Sequence, residues 1–331
     1  MKRRAFLGAA GAGLCAFAVH RVPFAAEAAW PNKPIRLIVP YPPGGVTDLA
    51  GRVVGDIVSK KFGQPVVVEN RPGANGLIGS QMVARAPADG YTLLLNGLGG
   101  IVLPAATLKG YPIDYNTALT PVAQVAEFVN VLVVGANSDI RTLPELVARA
   151  RAKGPNGLSY GSNGTGTSAH MTAEFFCMRN DIKCLHVAYK GSSEVLVDVT
   201  NGNLDFTFSN LPPVIGLIKK GLVRPLAVTS PYRSREIPEV ATLEELGMRD
   251  FAVTSWLGVY GPAGMDADIT QRLGQAIVDG VKDPATTQTL AGAGFEPKAA
   301  LAADFARLNR EELARWSGVA RDAGVSLNFG S

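Results

Sequence analysis

The alternation of short apolar runs with helix-period stretches constrains this chain more than any other feature. Residues 35–39 read as a strand. Residues 48–62 read as a helix with Leu49, Val53 and Ile57 on one stripe, Val54, Val58 and Phe62 beside it, and Gly63 at its end. A strand over 65–69, a helix over 76–86 and, after the turn Pro87-Ala88-Asp89-Gly90, a strand over 91–95 follow. Strand, helix, strand, helix, strand is the pattern of a doubly wound parallel sheet. Such sheets bind ligands in the loops at the carboxyl ends of their strands.

Those loops are residues 41–47, 70–75 and 96–100. In the first, Tyr41-Pro42-Pro43-Gly44-Gly45-Val46-Thr47-Asp48, two glycines admit a ligand close to the backbone or allow positive φ. Thr47 adds a hydroxyl, and the following helix points its first N–H groups at whatever lies above it. The expected guest is an anion. Asp48 would repel an anion, so it is expected to cap the helix by accepting from an N–H in the first turn. An ordinary βα turn with a good cap accounts for the same residues equally well. Asn96-Gly97-Leu98-Gly99-Gly100 reads as a loop, either open to a ligand at Gly97 or simply a flexible connection.

A second α/β series starts with a strand over 130–134 and a helix from 142, where Thr142-Leu143-Pro144-Glu145 has the form of a capping box. A strand over 158–160 leads into the loop Gly161-Ser162-Asn163-Gly164-Thr165-Gly166-Thr167-Ser168-Ala169-His170 and a helix to residue 178. Strands over 185–187, 204–208 and 223–228 follow, the first ending in Tyr189-Lys190-Gly191-Ser192. The apolar stretch 251–260 is expected to cross back to the first unit. The rest reads as helices over 266–282, before Gly292, and over 301–323. No repeat of 20 to 50 residues is visible.

Residues 1–29 have the form of a signal peptide: Lys2, Arg3 and Arg4 precede an apolar run from Ala5 to Val19, with a small-residue cleavage site near Ala28 or Ala29. Arg3-Arg4 fits a twin-arginine route and the ordinary secretory route alike. Cys15 follows Leu14 where a lipoprotein site needs a small residue, which argues against lipid anchoring. Cleavage removes four basic residues and Glu27, so the formal charge of +4 falls by three to +1. Nothing then suggests a nucleic-acid partner, which calls for clustered Lys and Arg on one face. About 300 remaining residues suggest two domains. Cys177 and Cys184 either pair in an oxidising compartment or stay as thiols.

Two Gly/Ser/Thr loops at helix N-termini, one in each domain, make a cleft with partial positive charge on both walls, suited to a small carboxylate. The second loop lacks the Gly-Lys-Ser/Thr ending of a phosphate loop. Ser168 and His170 lie two apart at a helix start and face different ways, and the Gly-x-Ser-x-Gly elbow is absent. Two histidines in the mature chain, without a Cys or carboxylate cluster at ligand spacing, suggest no metal site and no cofactor. His186 fits a satisfied core imidazole. His170 suits capping support or ligand contact, and Lys190 either pairs with a carboxylate or is solvated.

The chain resembles the Bug-type solute receptors of tripartite tricarboxylate transport systems. The resemblance is carried by Trp30-Pro31 with Lys33-Pro34-Ile35, Pro43-Gly44-Gly45 with Thr47-Asp48, Val68-Glu69-Asn70-Arg71-Pro72-Gly73-Ala74, Ala88-Asp89-Gly90-Tyr91-Thr92-Leu93, Tyr160-Gly161-Ser162 with Gly164 and Gly166, and Tyr189-Lys190-Gly191. It implies an α/β periplasmic-binding-protein (Venus flytrap) fold of two doubly wound domains joined by crossover strands: residues 30–128 with 253–331, and residues 129–252. It also implies a periplasmic, monomeric, non-catalytic receptor that passes a carboxylate to membrane permease subunits. The binding residues it implies are Tyr41, Gly44, Gly45, Thr47 and Asp48 on one side, with Gly97, and Ser162, Asn163, Thr165, Thr167, His170 and Tyr189 on the other. The glycine-rich 96–100 segment and Trp256, which either supplies an aromatic face or packs in the core, tilt the expectation toward an aromatic or bulky carboxylate. An exported hydrolase of carboxylic esters or amides and a carboxylate sensor are the alternatives.

Overall fold

The structure, a computed structural model, describes residues 30–322 and 327–328; the signal-peptide expectation for residues 1–29 lies outside them. The chain begins with β1 (Ile35–Val39), α1 (Val46–Phe62), β2 (Val66–Asn70), α2 (Leu77–Ala84), β3 (Thr92–Gly97) and α3 (Leu98–Thr107). After β4 (Leu108–Lys109) and α4 (Tyr115–Ala118) comes the long β5 (Leu119–Gly135). The next unit is α5 (Leu143–Lys153), β6 (Ser159–Ser162), α6 (Ser168–Arg179), β7 (Leu185–Ala188), α7 (Ser192–Asn201), β8 (Phe206–Asn210), α8 (Leu211–Lys219) and β9 (Val223–Val228). Then follow β10 (Thr254–Pro262), α9 (Ala267–Lys282), α10 (Pro284–Gly292), β11 (Glu296–Leu301), α11 (Ala302–Asp322) and β12 (Leu327–Asn328).

The sheet runs β2-β1-β3-β10-β5-β8-β6-β7. Strands β1, β2 and β3 are parallel, as are β6, β7 and β8, while β10 and β5 are antiparallel to their neighbours. β5 belongs to both halves. Its first part, up to Val129, pairs with β10 and β11; from Asn130 onward it pairs with β8 and β9. Every residue from Val122 to Gly135 is buried, as expected of a strand covered on both faces.

Helices α1 and α9 cover one face of the first lobe over Ile35, Leu37, Val54, Val259 and Ile277. α9 has a well-formed start, with the Asp266 carboxylate accepting from the N–H groups of Asp268 and Ile269 at 2.9 and 3.1 Å, and buries Leu273, Ile277 and Val281 along one stripe. On the other face one apolar cluster continues from Leu94 and Leu98 through Trp256, Phe305 and Trp316 to Phe176, Phe206 and Phe208, so both lobes share it.

Residues 96–100, expected as a loop, form the end of β3 and the first turn of the helix α3. Burial of Leu98, Ile101, Val102 and Leu103 overrides the weak helix propensity of Gly99 and Gly100. Gly97 is required where it stands: a Cβ there would lie 1.9 Å from the Trp256 carbonyl oxygen of the paired β10. Cys177 and Cys184 are separate thiols rather than a disulfide. Cys177 is buried on α6 and Cys184 is half-buried.

Candidate functional site

Between the lobes lies a cleft of about 240 Å³, small beside the roughly 300–1,000 Å³ of drug-sized pockets. Five helices begin on its walls: α1 at Gly45, α3 at Gly97, α6 at Thr167, α7 at Gly191 and α8 at Asn210. At Gly45, Gly97, Gly191 and Asn210 no side chain caps the helix. Only Thr167 does so, accepting from the His170 N–H at 3.4 Å. Away from the cleft, α4, α5, α9 and α10 are capped by Asp114, Thr142, Asp266 and Asp283, while α2 starts at Gly76 without a side-chain cap. α8 adds little, because Pro212 and Pro213 in its first turn have no N–H; the first-turn N–H groups of α1, α3 and α7, without a side-chain acceptor and converging on one space, form a field for a negative charge.

The first loop is built from beneath. Pro42 and Pro43 have no N–H, Gly44 takes φ +80°, and Asp48 fixes the turn. Asp48 does not cap α1; it sits inside the first turn and reaches back to accept from the Gly44 N–H at 3.0 Å. Arg52, at 3.2 Å, and Asn70, at 3.0 Å, hold the same carboxylate. Burial alone would raise its pKa, but these bonds and the Arg52 charge hold it below the ordinary value. Asp48 is 2% exposed, and the cleft wall above it is formed by Gly45, Val46 and Thr47. Asn75, in the left-handed region at φ 49°, ties the three loops of this lobe together. It accepts from the Tyr41 hydroxyl at 3.2 Å and donates to the Gly99 carbonyl at 2.9 Å.

Across the cleft, Asn163, Thr167 and Ser168 come from the β6–α6 loop and the start of α6, while Lys190 and Ser192 come from the start of α7. Asn210, at the end of β8, donates to Ser168 Oγ at 3.1 Å and to Asn130 Oδ1 at 2.6 Å, fixing α6 to β5 where that strand changes partners. The lobes approach closely: a Cβ on Gly99 would lie 3.4 Å from the Ser168 nitrogen, and one on Gly166 would lie 3.6 Å from Asn75. Leu98, Phe128, Trp256 and Leu257 supply an apolar wall. Trp256 is both core and wall, 2% exposed and edge-on to Phe305 at 5.3 Å. Lys190 brings a cation, and Glu194, whose carboxylate accepts the Lys190 N–H at 3.1 Å, is the acidic group on the rim.

Of the residues expected from the sequence, Tyr41, Gly45, Thr47, Gly97, Asn163, Thr167 and Trp256 line the cleft. Gly44 and Asp48 shape the first loop from behind. Ser162 and His170 lie under the second loop, Thr165 is exposed, and Tyr189 gives its hydroxyl proton to Asp198 at 2.5 Å. The sequence reading did not single out Ser168 as a ligand contact, and it passed over Ser192 and Asn210. Gly191-Ser192 repeats the glycine–hydroxyl pattern of the other helix starts and could have been found by it. Ser168 and His170 are not a nucleophile and base: Ser168 Oγ takes the Asn210 amide, and His170 Nδ1 takes the Gly166 N–H at 3.0 Å. Among the described residues, no group of three or more His, Cys, Asp and Glu could hold a metal ion, and no helix is long and apolar enough to cross a membrane.

Two α/β lobes joined by crossing strands, with uncapped helix ends around the cleft between them, define a solute-binding receptor of the periplasmic-binding-protein architecture. Residues 50–325 match the tripartite tricarboxylate transporter family receptor, and the chain belongs to that family. It is 34% identical over 299 residues to protein BugT of Bordetella pertussis, covering 90% of this chain and 91% of that one. The solved structure of R. palustris Rpa4515 with adipate is 32% identical, with a TM-score of 0.87 over 90% of this chain and 99% of that one. Periplasmic binding protein BugD is 25% identical, with a TM-score of 0.84 over 90% of this chain and all of its own (100%). The family and these structures are solute-binding receptors, not enzymes.

Proposed function

We propose that this receptor is exported to the periplasm, captures a small carboxylate with an apolar body, and delivers it as a monomer to the membrane permease of a tripartite system. The observation that carries the carboxylate is the set of uncapped helix starts at Gly45, Gly97 and Gly191 on one cleft. A carboxylate oxygen supplies the acceptor that these N–H groups lack, and the helix dipoles add to the attraction. The wall of Leu98, Phe128, Trp256 and Leu257 favours an apolar or aromatic remainder. The adipate bound to Rpa4515 supports the same ligand class. Tyr41, Gly45, Thr47 and Gly97 would hold one side of the solute, and Asn163, Thr167, Ser168 and Ser192 the other. The moving bodies would be residues 30–128 with 253–331, and residues 129–252, hinged where β5 exchanges β10 for β8.

The test is a melting-temperature screen of refolded protein against mono-, di- and tricarboxylates, aromatic acids, amino acids and neutral solutes. A solute at about 100 times its dissociation constant should stabilise by roughly 2.7 kcal/mol, a shift of a few degrees for a chain of this size. Recovery of an unchanged carboxylate supports the receptor; a response confined to neutral or cationic solutes would overturn the reading of the helix ends.

A further inference from the structure

Behind residues 162–167 lies a buried cluster that solute capture, as described, leaves without a role. The imidazoles of His170 on α6 and His186 on β7 stack with centroids 3.9 Å apart and planes 15° from parallel, and the Tyr160 ring lies 5.0 Å from that of His186. Each imidazole holds the loop at a different point. Gly166 donates its N–H to His170 Nδ1 at 3.0 Å. A backbone N–H can only donate, so this Nδ1 carries no proton and the ring is the neutral Nε2–H tautomer. His186 Nε2 lies 2.6 Å from Ser162 Oγ, which also accepts the Gly164 N–H at 3.3 Å. Thr167 closes the loop by donating to the Gly164 carbonyl at 2.7 Å. Asn163 and Thr167 of this loop line the cleft.

We propose that His170 and His186 are positioning residues for solute capture: as a stacked neutral pair they hold residues 162–167 and the start of α6 in the binding shape, and protonation of His170 at Nδ1 releases them. The proposal rests on the reading of the cleft as a carboxylate site. A proton on Nδ1 would set two donors against each other at Gly166. A second charge on His186, 3.9 Å away centroid to centroid, would be repelled by the first. The titratable groups facing the pair are Glu174 from α6 and Tyr160 from β6; Cys177 and Cys184 lie near Tyr160 and Glu174. Asp205, ahead of β8, is engaged with the Ser159 N–H at 2.7 Å. Glu174 lies 3.9 Å from His170 Nε2 and accepts the Tyr160 hydroxyl proton. It favours an imidazolium and burial opposes one; burial prevails, and both imidazoles are held down to about 4.

The experiment combines histidine ¹⁵N NMR, exchange of the Gly166 amide, and adipate affinity by calorimetry, on wild type, His170→Asn, His170→Ala and His186→Gln. Asn places an acceptor oxygen near the position of Nδ1, and Gln places an amide near that of Nε2, without titrating. His170 should show an unprotonated Nδ1 at pH 7 and a titration midpoint near 4, moved lower by saturating adipate because binding requires the neutral ring. His170→Asn and His186→Gln should keep affinity within about threefold, while His170→Ala should lose roughly tenfold or more and expose the Gly166 amide. A protonated Nδ1, a midpoint that adipate leaves unmoved, or wild-type affinity in His170→Ala would overturn the proposal. If neither adipate nor benzoate binds wild type, the carboxylate reading fails instead, and the tautomer and amide exchange still decide whether the pair positions the loop.

Discussion

Asp48 is a carboxylate in the first turn of a helix that faces the proposed anion site, yet it is turned back under the loop, where Gly44, Arg52 and Asn70 surround it. Its importance for binding should therefore be indirect. Asp48→Ala takes the shared acceptor away from the Gly44 N–H, the Arg52 guanidinium and one Asn70 amide proton, at about 1–3 kcal/mol of stability, and should weaken adipate roughly tenfold through a disordered loop; urea denaturation and calorimetry check both. Asp48→Asn, which keeps an acceptor, should do less damage. The imidazoles give a pH dependence with a definite sign. Their pKa lies near 4 folded against 6.5 unfolded, so the unfolded chain takes up protons first. The contribution is whole above about pH 6.5 and is lost as pH falls toward 4. His170 alone should remove about 3 kcal/mol by pH 4, and His170→Asn should flatten that part of a series of urea midpoints.

At the scale of the element, what distinguishes the cleft is that the uncapped starts of α1, α3 and α7 meet on it. α5 shows the sequence rule obeyed, with Thr142 accepting the Glu145 N–H at 3.3 Å; α7 has glycine at the same position. Gly191 is in an extended conformation at φ −163°, and a Cβ there would meet only Pro42 at 3.9 Å, so an aspartate fits. Gly191→Asp should cap α7 and stabilise the ligand-free protein by about 0.5–1 kcal/mol. It should also weaken adipate tenfold or more by filling the proposed anion site with its own carboxylate. A substitution that stabilised the protein and left affinity unchanged would remove α7 from the site. The sequence located α1 and α6 because glycine and hydroxyl residues cluster before them. It misread the start of α3, because two glycines in its first turn look like a loop until the buried face of that helix is seen.

At the scale of the whole molecule, the lobes are linked by β5, by the returning chain into β10, and by an apolar cluster on one face that runs from Leu94 to Phe208. Opening must bend the strands and shear that cluster, while the cleft side holds no comparable core. Solution scattering of ligand-free protein should give a profile more open than this structure and the mass of one chain. Addition of a bound carboxylate should bring the profile toward the structure, and an unchanged profile would count against hinge closure.

The sequence by itself determined the α/β alternation, most strand and helix positions, the family, and the loops at 41–47 and 161–167. Each of these is a local matter of apolar period, glycine and hydroxyl placement. It also marked a strand at 130–134 but not the continuous β5 from Leu119, whose apolar run has no period to read. Only the tertiary structure decided which named residues touch the cleft. Asp48, Ser162 and His170 look like ligand contacts in the sequence because buried support and direct contact call for the same polar side chains. They are told apart by partners 22, 24 and 4 residues away, at Asn70, His186 and Gly166. Ser192, Asn210 and Phe128 reach the same cleft from separate elements, and only the order of strands in the sheet brings them together.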